Sequence, residues 1–121
     1  MLARRFATVL GVFLIVEGVW GLFSPMVFGV LSTNTLHAVI HILLGITGIV
    51  IARGGGARGY LLGVGGLLVV VAILRFIPGI SDLVVSLLNV NFAVAYFNIA
   101  VGVASLAIGF NARPAAVPPA A

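Results

Sequence analysis

Apolar residues along this chain run in four long blocks, and the few polar residues inside those blocks fall at helical spacing. The first block, 6–23, would span about 27 Å as a helix, close to the thickness of bilayer hydrocarbon. Blocks at about 34–52, 60–77 and 91–110 repeat that length. Breakers separate them. Ser24-Pro25 closes the first helix, Arg53-Gly54-Gly55-Gly56-Ala57-Arg58 makes a short basic turn between the second and third, and Pro78-Gly79 stops the third. The uncharged stretch to Thr33, with Met26, Val27, Phe28, Val30 and Leu31, reads as a short segment at the outer interface. Around Asp82, the residues Ile80, Leu83, Val84, Leu87 and Leu88 predict a second interfacial helix. The fold class expected is therefore all-α, an integral membrane four-helix bundle over residues 1–110.

The polar positions refine this picture. Asn34, His37, His41, Gly45 and Gly48 are separated by steps of 3, 4, 4 and 3, so they share one face of the second helix. Such a face belongs inside a bundle, where polar groups find partners and small residues let helices approach. The same design recurs 57 residues later: Leu31 with Leu88, Asn34 with Asn91, His41 with Asn98, Ile42 with Ile99 and Gly45 with Gly102. In the fourth span Asn91, Ala95, Asn98, Gly102, Ser105 and Gly109 form the matching stripe. The bundle thus reads as two duplicated helical hairpins, a parallel repeat rather than the inverted repeat common in secondary transporters. Gly63, Gly65 and Gly66 are expected to give the third span a thin waist.

Composition fixes the setting. Of the 121 residues 63% are hydrophobic and 7% charged, against about a quarter charged in soluble domains. The +4 net charge comes from six basic residues, all Arg, against Glu17 and Asp82. It reads as a topology signal: Arg4, Arg5, Arg53, Arg58 and Arg113 on one side put both termini on the cytoplasmic face of the cytoplasmic membrane. The first block holds Glu17 and lacks a small-x-small cleavage site, so it reads as an uncleaved span rather than a signal peptide. The Ala/Pro-rich tail, 111–121, is expected to be disordered. Without cysteine there is no disulfide, thiolate metal site or cysteine nucleophile.

The motif Asn34-Thr-Leu-His37-x-x-x-His41-x-x-x-Gly45-x-x-Gly48, preceded by Pro25 and Phe28, resembles a family of small four-helix bacterial membrane proteins of unknown function. The resemblance covers most of residues 10–110 and implies a fold rather than an activity. The family's second half carries an Asn, an Asp and a His before the last span. Here Asn91 matches, while Val94 and Asn98 stand in the Asp and His places, so the resemblance implies a degraded second site. A more distant similarity links the chain to four-helix membrane proteins of the DoxX type, some of them associated with quinone-dependent oxidoreductases.

By position in the spans, Glu17, Asn34, His37, His41, Arg75, Asn91 and Asn98 gather in the outer half of the bilayer, and these seven are the candidate ligand-binding residues. An ionised group near midplane costs roughly 2.5–3.5 kcal/mol, so Glu17 is expected to be protonated or paired with Arg75 or a histidine. Two readings follow. In the first the polar stripe is structural, and the protein is an accessory bundle that binds lipid, another membrane protein or a second copy of itself. In the second, Glu17, His37 and His41 form a site for a quinone, haem, metal or proton-coupled solute, and a metal would need a third ligand from Glu17 or an Asn. No cofactor is singled out. Arg75, one turn from its helix end, is expected to snorkel. Trp20, Phe23 and Tyr60 are expected to be interfacial anchors. Enzyme classes drop away: no nucleophile elbow or triad surrounds Ser24, Ser32, Ser81, Ser86 or Ser105, and the glycine turn lacks the Lys-Ser/Thr ending of a phosphate loop. Neither a nucleotide nor a nucleic acid is an expected partner.

Overall fold

The computed structural model describes residues 1–112. It contains α1 (Leu2–Phe23), a two-residue antiparallel pair β1 (Met26–Val27) and β2 (Leu31–Ser32), α2 (Thr35–Arg53), α3 (Ala57–Arg75), α4 (Ile80–Leu88) and α5 (Phe92–Asn111). The helices α1, α2, α3 and α5 are each long and apolar enough to cross a membrane. Their outward faces stay apolar: Val9, Leu43, Val70 and Val103 are all more than half exposed, as lipid-facing residues require. The protein is a multi-pass helical membrane bundle.

α1 starts at Leu2, so Arg4 and Arg5 already belong to its opening turns. The expected interfacial segment before α2 is instead the small β1–β2 hairpin, turned through Phe28 and Gly29 at φ of 54° and 71°. A phenylalanine in the left-handed region is strained, and its ring is held against Phe13 and Trp20. The stretch around Asp82 forms α4, ending at Asn89 in the left-handed conformation that asparagine tolerates best after glycine. Asn111 closes α5, and the Ala/Pro-rich tail from residue 113 lies outside the described residues.

Packing follows the duplication. α1 lies mainly against α2 and α3 against α5, and the two pairs meet along a thinner seam. Small residues set both pairings. A methyl group on Gly11 would come within 2.7 Å of the Gly45 carbonyl oxygen, and one on Gly102 within 2.9 Å of the Gly65 carbonyl oxygen. Backbone touches backbone there, which only glycine permits. The expected waist of α3 reduces to Gly65, because Gly63 and Gly66 have no neighbour within 4 Å of an added methyl. Tyr60 is buried rather than interfacial: its hydroxyl donates to the Leu44 carbonyl at 2.8 Å and its ring fills the notch at Gly48.

Two apolar cores result. One runs from Ala3, Ala7, Leu10 and Leu14 across to Leu61, Val64 and Leu68. The other gathers Val27, Leu31, Ala72, Val84, Val90 and Val94 near the hairpin and α4. The polar side chains Glu17, His37, His41 and Asn98 lie on the helix faces between them.

Candidate functional site

The seven candidate residues divide into two groups. The first group locks the halves together. Asn34 caps α2 by accepting from the His37 N–H at 2.9 Å, while its Nδ2 donates to the Leu87 carbonyl at 2.8 Å. Asn91 does the same for α5, accepting from the Val94 N–H at 2.9 Å and donating to the Val30 carbonyl at 2.9 Å. Leu87 and Val30 are related by the same 57-residue shift as the two asparagines, so the bonds are reciprocal across the repeat. Ser32 and Asn89, also equivalent, add a second reciprocal set: the Ser32 hydroxyl donates to the Asn89 carbonyl and accepts from the Asn91 N–H, and Asn89 Nδ2 donates to the Thr33 carbonyl. Each half closes the loop end of the other.

His37 extends this lock, while Arg75 fastens α3 to the start of α5 within the second half. His37 Nδ1 lies 3.0 Å from the Leu88 carbonyl oxygen, a bond in which the ring donates. Arg75 Nε donates to the Val90 carbonyl at 2.6 Å, and its guanidinium lies 4.3 Å over the Phe92 ring, a cation–π geometry. Of the pairings expected for Glu17, the structure selects a histidine over Arg75.

The second group is a buried polar layer. The Glu17 carboxylate stands 3.5 Å from His41 Nδ1, with both residues no more than 7% exposed. The His41 ring meets His37 edge to face at a centroid separation of 4.3 Å. A cavity of about 100 Å³ opens beside them, between α2, α3 and α5, lined by His37, His41 and Asn98 with apolar Leu44, Leu68 and Val71. Asn98 is 5% exposed and makes no side-chain hydrogen bond among the described residues, so its amide is available to the cavity. His41 and Asn98 are the repeat-equivalent pair, and the duplication brings both to the seam between the halves. Glu17 has no such counterpart, since Leu74 holds its place in the second half. With Nδ1 directed at Glu17, His41 keeps Nε2 for another partner, the carboxylate–imidazole arrangement that fixes a histidine's tautomer. Among the described residues no group of three His, Cys, Asp or Glu side chains is arranged to hold a metal ion.

A family model described as a domain of unknown function, DUF4383, matches residues 4–111. The chain belongs to the DUF4383 family. No curated protein and no solved structure matches it. The DUF4383 match runs from the first turns of α1 to the last residue of α5, so both the inter-half lock and the polar layer fall within it.

Sequence reasoning overlooked Ser32, Thr33 and Asn89, which carry half of the lock. A signal was present. Leu31-Ser32-Thr33-Asn34 and Leu88-Asn89-Val90-Asn91 are aligned by the repeat, and a short polar residue two positions before each capping asparagine marks the cross-bonded corner.

Proposed function

We propose that the protein is a non-catalytic accessory bundle of the cytoplasmic membrane, which presents its lipid-facing helices and loop end to lipid, to another membrane protein or to a second copy. The observation that carries this reading is the reciprocal lock. Asn34, Asn91, His37 and Arg75 each bond a backbone carbonyl of this chain, the use expected of polar groups that fix helix partners. The four arginines near the α2–α3 turn and the start of α1 favour that end facing the cytoplasm. Because the chain has no cysteine, single Gly55→Cys and Asp82→Cys variants test the orientation directly. An impermeant maleimide applied to intact cells should label only the residue-82 variant, and labelling of residue 55 alone would reverse the topology.

The cavity lined by His37, His41 and Asn98 favours a second reading, a site for a small uncharged molecule that carries a hydrogen-bonding oxygen on an apolar body. Its polar groups converge in an apolar setting, as ligand sites do. Native mass spectrometry of the full chain in lipid nanodiscs separates the two. The accessory reading expects the chain alone, with lipid or with another polypeptide, and no change in bound mass for His41→Ala. A discrete small-molecule mass that disappears in His41→Ala and Asn98→Leu would install the second reading instead.

A further inference from the structure

At the end of the bundle away from the polar layer, the ends of all four long helices surround a pocket of about 460 Å³ lined by Arg4, Arg58, Ala3, Gly55, Ala57 and Asn111. Arg58 is half-buried, and its Nε is shielded from solvent with no acceptor among the described residues. A guanidinium N–H removed from water and left without an acceptor is destabilising, and an anion seated on the rest of the Arg58 fork, which lines the pocket, would offset that cost. Among the described residues no acidic side chain supplies one. The chain has two acidic residues: Glu17 is engaged by His41, and Asp82 lies on α4 at the opposite end. Positive charge accumulates around the pocket as well, from exposed Arg5 and Arg53. The N-termini of α1 and α3 face this end without side-chain caps, but the C-terminal ends of α2 and α5 oppose them, so the positive charge here comes from the arginines.

We infer that this pocket binds the phosphate of an anionic membrane lipid, with the Arg58 and Arg4 guanidinium groups as its ligands. Planar guanidinium forks match phosphate oxygens in pairs, and the ends of membrane-spanning helices stand at headgroup depth, where such phosphates are concentrated. The lipid's acyl chains would lie along the exposed apolar helix faces. This deepens the lipid part of the proposed function and rests on that reading for the bilayer alone; the polar layer plays no part in it.

The test uses the full chain in non-ionic detergent, titrated separately with phosphatidylglycerol, phosphatidylcholine and inorganic phosphate. Bound lipid is counted by native mass spectrometry and folding is followed by circular dichroism. Expected is retention of phosphatidylglycerol over phosphatidylcholine, weakened about tenfold or more in Arg58→Gln and in Arg4→Gln, the effect of losing a charge-assisted bond. Arg53→Gln removes the same charge from the same end without touching the pocket, and it should change binding less than about twofold. Equal losses in Arg53→Gln and Arg58→Gln, or no preference between the two lipids, would overturn the inference. Protection by inorganic phosphate with no lipid retained would overturn the lipid assignment in favour of a free anion. Should Arg58→Gln fail to fold, Arg4→Gln carries the test.

Discussion

At the scale of single residues, what a polar side chain does in this bundle depends on whether a free backbone carbonyl lies within its reach. Asn34 and Asn91 each satisfy an N-terminal N–H of their own helix and a loop carbonyl of the other half. Losing an asparagine cap costs about 1 kcal/mol, and an inter-helix hydrogen bond in a membrane averages about 0.6 kcal/mol. Asn34→Ala should therefore lower stability by roughly 1–2 kcal/mol and Asn91→Ala by a similar amount, measured as reversible unfolding in mixed micelles. A negligible effect for both would mean that water replaces the lock. His41 differs, because its nearest polar neighbour is a carboxylate rather than a carbonyl. Glu17→Gln keeps an acceptor beside Nδ1 and should fold as the parent does, while Glu17→Leu strands a buried imidazole and should cost on the order of 1–3 kcal/mol. The same unfolding assay reads both, and equal effects would deny the pairing a structural role.

At the scale of elements, close helix pairing rests on positions that look interchangeable in the sequence. Gly63, Gly65 and Gly66 lie within one turn of α3, yet only Gly65 meets the backbone of α5. Hydropathy cannot rank them, since all three are equally small and apolar. Which glycine matters is set by the rotation of α3 about its axis, and that rotation is fixed by the partner helix. Gly65→Val and Gly11→Val should each cost about 1–3 kcal/mol or prevent folding, because the new side chain meets a rigid carbonyl. Gly63→Ala should change stability by less than about 1 kcal/mol and in the stabilising direction, since alanine is the better helix former and meets nothing there. Thermal melts in one detergent decide it, and a loss at position 63 as large as that at 65 would refute the packing described.

At the scale of the whole molecule, the two helix pairs are each zipped by glycine, meet along an apolar seam between α1 and α3, and are tied to one another by hydrogen bonds mainly at the loop end. Co-expressed fragments divided within Gly54-Gly55-Gly56 should therefore copurify as a bundle, and the combined Asn34→Ala and Asn91→Ala change should release one fragment from the other. Fragments that stay together despite both substitutions would show that apolar contact along the seam suffices.

Much of this was legible in the order of residues. The four long helices, the breakers between them, the repeat and the inward stripe of α2 all follow from local hydropathy and from spacing, which a lipid solvent enforces strictly because unpaired backbone is intolerable there. The candidate residues were legible as a set, since polar groups are rare in such spans. Their roles were not. Asn34 and Asn98 are the same side chain on the inward stripes of equivalent helices, yet one is bonded at both ends and the other faces a cavity without a bond among the described residues. Arg53 and Arg58 are likewise one residue type at the two ends of a single turn, and of the two only Arg58 has a shielded nitrogen without a partner among the described residues. The sequence by itself determined that this chain spans a membrane as two copies of one hairpin, because burial in lipid reads every residue by its own polarity. The tertiary structure alone decided which polar groups became locks, which line a cavity and which arginine nitrogen is shielded without a partner among the described residues, because a hydrogen bond depends on where an acceptor more than fifty residues away comes to rest.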